Sequence, residues 1–192
     1  MDNDEIFKRF QLKEDLKSEC LGSIDAKIDR WLEIEHQEII GGHHFASASS
    51  ECIKLYRDGY FIGTVMMSHA INEGIINFVA ERNNIDRQKA DNATKTIVEL
   101  IVELQGNNLI STHCKDASLA IWHSYRNDIH HMNPSVLKIH FPKLAQLNIK
   151  HLSFIENEIS GCDYPNGALV PHQPKYWDKN ADGRYKSWLR LD

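Results

Sequence analysis

Close cysteine pairs, membrane-length apolar runs and alternating strand patterns are all missing from this sequence, and each gap excludes a class of protein. The four cysteines, Cys20, Cys52, Cys114 and Cys162, stand far apart with no CxxC among them. That excludes a disulfide framework or a zinc ribbon and implies reduced thiols. No apolar stretch reaches the roughly 18 residues needed to cross a bilayer. The opening Met1-Asp2-Asn3-Asp4-Glu5 is acidic and lacks the basic and apolar regions of a secretion signal. The expected location is therefore the cytoplasm, with no membrane partner. Basic charge is also short: a formal net charge of -5 argues against a broad, non-specific affinity for nucleic acid and leaves room only for a local basic patch. A glycine-rich phosphate loop, a GxSxG elbow and an HExxH zinc motif are absent too.

What is present is helical periodicity. The 192 residues, 42% of them hydrophobic, suit one compact domain with a real core. Spacings of three and four predict one or two helices over about 5–40, with a break near Leu21-Gly22 and an end at Gly41-Gly42. Further helices are predicted over Phe45–Arg57, Tyr60–Arg82, Asp86–Gln105, from Ser111-Thr112 to about His131, and over Pro142–Ser160. The Tyr60–Arg82 segment is apolar on nearly every side, the mark of a helix buried among its neighbours. The expectation is an all-α, up-and-down helical bundle over residues 1–160. An irregular extension over 161–192 should follow, rich in proline and in exposed aromatics such as Tyr164, Tyr176, Trp177, Tyr185 and Trp188.

Two constellations suggest metals and do not carry them. Asp178-Lys179-Asn180-Ala181-Asp182-Gly183 matches the start of a calcium loop, but the position for its bidentate Glu is Leu189, so a plain Asx-rich turn is the reading. His113-Cys114, His123 and His130-His131 have ligand chemistry without zinc spacing. No metal or cofactor is expected.

Chemistry concentrates in Tyr125-Arg126-Asn127-Asp128-Ile129-His130-His131-Met132-Asn133-Pro134. Pro134 pushes Asn133 out of helical geometry, so the helix should end by His131. At about 100° per residue, Arg126 and His130 lie about 40° apart, and Arg126 and His131 about 140°. Only an ending before His131 lets the chain turn that histidine toward the guanidinium. An arginine beside a histidine makes sense around an anion such as phosphate, which Arg126 can bind bidentately while a histidine moves a proton. Against this stands a plain polar helix terminus, where the dipole favours Arg and His anyway. In the central helix, His69 and Glu73 share one face, and Glu73 requires a partner there. It forms either a structural ion pair or a contact that positions Arg126 from the last turn of that arginine's helix.

Arg126-Asn127-Asp128-Ile129-His130-His131 resembles the signature of the HEPN superfamily, an arginine and a histidine separated by four to six residues, commonly Arg-Asn-x-x-x-His. Leu55-Tyr56-Arg57-Asp58-Gly59-Tyr60-Phe61-Ile62-Gly63-Thr64-Val65, with Ala70-Ile71-Asn72-Glu73, is similar to the family's early helices, and Asn148–Ile159 to its last. The resemblance spans roughly 45–160. It implies a helical homodimer bringing two Arg–His pairs into one cleft, and a metal-independent endoribonuclease of toxin–antitoxin or phage-defence systems. Arg126 and His131 would be the catalytic pair, with Asn127 beside them and His130, Asp128 and Glu73 in support. RNA and an antitoxin or neighbour-encoded protein are the implied partners. Family members without catalysis, which bind RNA, nucleotide or protein, are the alternative. In toxins silenced by a nucleotidyltransferase, a tyrosine follows the motif histidine by two residues. Here that residue is Asn133, so silencing by that modification is not expected.

Overall fold

The computed structural model describes residues 2–88 and 93–190. The chain divides into two compact units, Met1–Ile34 and Glu35–Asp192. The first holds α1 (Asn3–Gly22) and α2 (Ile24–Leu32), broken at Ser23, one residue past the expected break. Their apolar residues, among them Phe7, Phe10, Leu16, Ile28 and Leu32, are exposed.

The second unit is a helical bundle, so the fold is mostly α. Its helices are α3 (Ala46–Asp58), α4 (Phe61–Arg82), α5 (Ile97–Gly106), α6 (Thr112–Trp122), the single turn α7 (Arg126–His130) and α8 (Phe141–Ser160). Helix α4 is central, as its all-round apolarity predicts. It packs against α3, α5, α6, α7 and α8 and buries Val65, Ile71, Ile75, Ile76 and Val79. Leu100, Leu104, Ile121, Leu152 and Ile155 complete the core around it.

The ends of these helices follow from local chemistry. Gly59 closes α3 at φ 87°, a left-handed cap that glycine adopts without strain. Thr96 and Glu99 form a reciprocal capping box that starts α5 at Ile97 rather than at Asp86. Residues 89–92 of that expected helix lie outside the described residues. Ser111 caps α6 by accepting from the Cys114 amide at 3.0 Å, and the His140 ring accepts from the Lys143 amide at 3.2 Å to start α8.

Three expectations are corrected. The early helices stop at Leu32, and Ile39–Gly41 forms a strand, β1. Next, only the first half of α8 departs from its leucine stripe: Leu147 is exposed while Ala145, Asn148 and Ile149 are buried, and Leu152, Ile155 and Ile159 of that stripe do face the core. Finally, residues 161–190 belong to the second unit and are not irregular throughout. They form β2 (Cys162–Asp163) paired antiparallel with β3 (Val170–Pro171), and β4 (Ser187–Leu189) paired antiparallel with β1, Ile39 opposite Leu189. Tyr176 and Trp177 are buried, not exposed.

The tail is tied to the bundle by charge. Arg190 and Glu156 form an ion pair at 2.5 Å with both side chains almost wholly buried. Ser49 of α3 donates to Glu156 and accepts from Arg190. Arg190 also donates to the Gln37 carbonyl at 3.0 Å. Burying two charges is tolerated only with such additional bonds. The Asp178–Gly183 segment is a turn: Gly183 N–H donates to the Asn180 carbonyl at 3.0 Å, and Asp178 pairs with Arg82. Among the described residues, no group of three or more His, Cys, Asp or Glu could hold a metal ion, and no helix is long and apolar enough to cross a membrane.

Candidate functional site

The motif does not sit at the end of a long helix. Helix α6 stops at Trp122, and Tyr125, at φ 61° and ψ 20°, turns the chain before α7 begins at Arg126. Arg126 thus opens its own turn. The break is made by Ser124, whose hydroxyl donates to the Ile121 carbonyl at 2.6 Å and so competes with the helical ladder.

Beneath this break lies a buried polar network that the apolar periodicity did not signal. The Asn148 amide of α8 donates both hydrogens, to Ser68 and to Ser124, each at 2.9 Å. His69 Nε2 meets the Ser124 hydroxyl at 2.9 Å. Because that hydroxyl's one proton goes to Ile121, the histidine is the donor, which fixes the Nε2–H tautomer. Burial is the main cause that lowers the His69 pKa to about 4; the Ser124 carbonyl opposes it and the Arg126 charge reinforces it. His69 is therefore neutral at pH 7 and acts as a fixed strut.

One helical turn along α4, Glu73 accepts from Arg126 Nη1 at 3.5 Å, in a pair that leaves the side chains 40% and 32% exposed for Arg126 and Glu73. This contact reaches the first turn of α7, not the last turn of a longer helix. The guanidinium carbon also lies 5.5 Å from the Trp122 ring centroid, a cation–π contact. The Trp122 ring stands edge-on to His69, with centroids 6.4 Å apart. Glu73 and Trp122 thus anchor Arg126 while part of its fork stays in solvent.

Asp128 organises the other end. It accepts from Ser135 at 2.6 Å and from the Asn133 amide at 3.2 Å, and these two bonds hold its carboxyl below the usual carboxylate range. Asn127, His130 and His131 are exposed. The rings of His130 and His131 meet edge to face, centroids 5.0 Å apart.

Helix α7 ends at His130, before His131 as expected, yet the chain does not reverse at that point. His131 N–H still donates to the Asn127 carbonyl at 3.0 Å, an α-helical bond, and the positive φ falls on Met132, at 48°. Helical rotation therefore keeps His130 about 40° from Arg126 and His131 about 140°.

Comparisons with protein-family models, curated proteins and solved structures found no match.

The sequence missed Trp122, Ser124 and Asn148. A signal existed for Asn148, since it stands four residues before Leu152 and one before Ile149 on an otherwise apolar face. No comparable signal marked Ser124. The histidines grouped as potential ligands lie in separate surroundings: His113 packs on Phe154 with centroids 4.8 Å apart, while His123 is exposed beyond the end of α6.

Proposed function

We propose that this protein is a metal-independent endoribonuclease of the HEPN type, acting as a homodimer. One observation carries the reading. A half-exposed arginine, anchored by Glu73 and Trp122, stands on the same short turn as two exposed histidines. In this reading Arg126 binds the scissile phosphate, and Asn127 orients the phosphate or the attacking group. His131 takes the proton as the RNA's 2′-oxygen attacks phosphorus, and a protonated imidazole supplies one to the departing 5′-oxygen. The products are a 2′,3′-cyclic phosphate and a free 5′-hydroxyl. His130 supplies a second imidazole within the same turn. Because helical rotation separates Arg126 from His131 within a chain, the reading needs a second copy whose His131 faces the phosphate held by the first copy's Arg126. A toxin or phage-defence role, with an antitoxin or neighbour-encoded partner, accords with this activity.

Purified protein incubated with RNA in EDTA tests the reading. Cleavage to cyclic-phosphate ends is expected, with Arg126→Ala and His131→Ala each reducing it by at least about 100-fold, the usual worth of a positioned proton-transfer group. Cleavage that survives both substitutions excludes it.

The same separation of Arg126 from His131 favours a second reading, a catalytically inactive HEPN-like module that binds RNA, nucleotide or a protein partner. It predicts RNA binding that depends on Arg126, with no turnover and no dependence on His131.

A further inference from the structure

Tyr125 and Met132 both hold left-handed backbone conformations beside the site, and Tyr125 is the one that adjoins Arg126. At φ 61° and ψ 20° its Cβ crowds the following carbonyl, a geometry that bulky residues adopt rarely and glycine adopts freely. Two contacts from α4 impose it. The preceding residue, Ser124, is bonded to His69, and the following one, Arg126, to Glu73, one turn apart on the same helix face. A tyrosine so constrained would ordinarily offset the strain by burying its ring. This one is 51% exposed, immediately beside a half-exposed guanidinium. Strain that persists without packing in return points to a contact with something outside the chain.

We propose that Tyr125 is a base-stacking residue, its ring taking the face of an unpaired nucleobase next to the phosphate held by Arg126. The inference rests on the RNA-directed reading above and names the substrate as single-stranded. Proteins that bind unpaired RNA stack bases on aromatic rings set among cations, and such stacking tolerates any base because every base has a π face. Trp122 is already engaged under Arg126, which leaves Tyr125 as the ring directed outward at this turn. Asn127, His130 and His131 keep the rim polar. That suits a phosphodiester strand better than the charge-depleted centre of a protein interface. Met132 and Leu137, 71% and 91% exposed, follow within the next twelve residues, so a second copy seated on this surface is the competing occupant.

Binding of a labelled single-stranded RNA, 2′-O-methylated so that it cannot be cut, tests the proposal by fluorescence anisotropy. Tyr125→Phe keeps the ring and is expected to bind within about twofold of the parent. Tyr125→Gly removes the ring and relieves the backbone. It is expected to keep or raise the thermal midpoint while weakening binding about tenfold or more, the usual worth of one stacked base. That loss should vanish on a strand carrying an abasic nucleotide at one particular position. Tyr125→Gly binding as tightly as the parent, or losing the same factor on every abasic strand, overturns the proposal. So does a loss that coincides with dissociation of a dimer in sedimentation, which would assign Tyr125 to an interface between copies. Failure of the parent to cleave RNA would remove the nuclease reading and leave this binding test intact. A parent that binds no RNA overturns both.

Discussion

Glu73 and Arg126 lie 53 residues apart in sequence and meet at 3.5 Å, both partly open to solvent. A pair so exposed contributes little to stability, so Glu73→Gln should shift the urea unfolding free energy by less than about 1 kcal/mol. Under the proposed RNA-directed function it should nonetheless weaken RNA binding or cleavage several-fold, because the guanidinium loses its orientation. Finding both properties unchanged would end the positioning role. This contact was legible in the sequence because a carboxylate on the inward side of an apolar helix needs a cation, and Arg126 stood in the stretch where chemistry concentrates. The strut beneath was not. Ser68, Ser124 and Asn148 are unremarkable singly, and only the fold sets the two hydroxyls each 2.9 Å from the Asn148 amide. Nor could periodicity announce the left-handed turn at Tyr125, since tyrosine carries no preference for it.

Long apolar stripes were readable, but helix limits set by side-chain caps and breaks were not: α5 starts at Ile97 rather than Asp86, and α6 stops at Trp122 short of His131. Helices α3, α4 and α8 fall within one or two residues of their expected bounds, because apolar stripes and breakers such as Gly59 act locally. Strands of two and three residues carry too few side chains to show a period, so β1 and β4 read as a helix end and as loop. The ion pair behind them joins Arg190 to Glu156 across 34 residues with no local signal. Its energetics give a clear expectation. Arg190→Met should destabilise the fold by about 3–5 kcal/mol, since it leaves the Glu156 carboxylate buried and unpaired. Adding Glu156→Leu to Arg190→Met should restore most of the loss, measured as urea midpoints of the three proteins. Equal midpoints for the parent and Arg190→Met would show that Glu156 is not held charged in the interior.

Among the described residues, burial lowers the pKa of three histidines, His43, His69 and His151, the first two most. Burial lowers both His69 and His43 to about 4, and His43 is enclosed by Phe45 and Phe78 with ring centroids 5.0 and 4.3 Å away. Their ordinary value is 6.5, so between about pH 6.5 and pH 4 the unfolded chain binds protons that the folded chain refuses. Stability is therefore complete above pH 6.5 and falls as the pH drops through that window. The total loss should be a few kcal/mol for the two sites. Urea midpoints at pH 7.5 and 5 should differ in this direction, and His43→Phe combined with His69→Gln should narrow the difference. A pH-independent midpoint in the parent would mean that neither ring is buried in its neutral form.

The bond from Arg190 to the Gln37 carbonyl also sets an order of events. It joins positions 153 residues apart, so β1 has no partner until nearly all of the second unit has been assembled. Closing so long a loop is slow compared with forming helices, whose contacts are local. The bundle must then gather while Glu156 lacks its cation, and a bare carboxylate resists being sealed inside. Arrival of the last strand and final closure of the seam between α3 and α8 should therefore be a single late step in folding. On unfolding, the same seam should be the first to admit water.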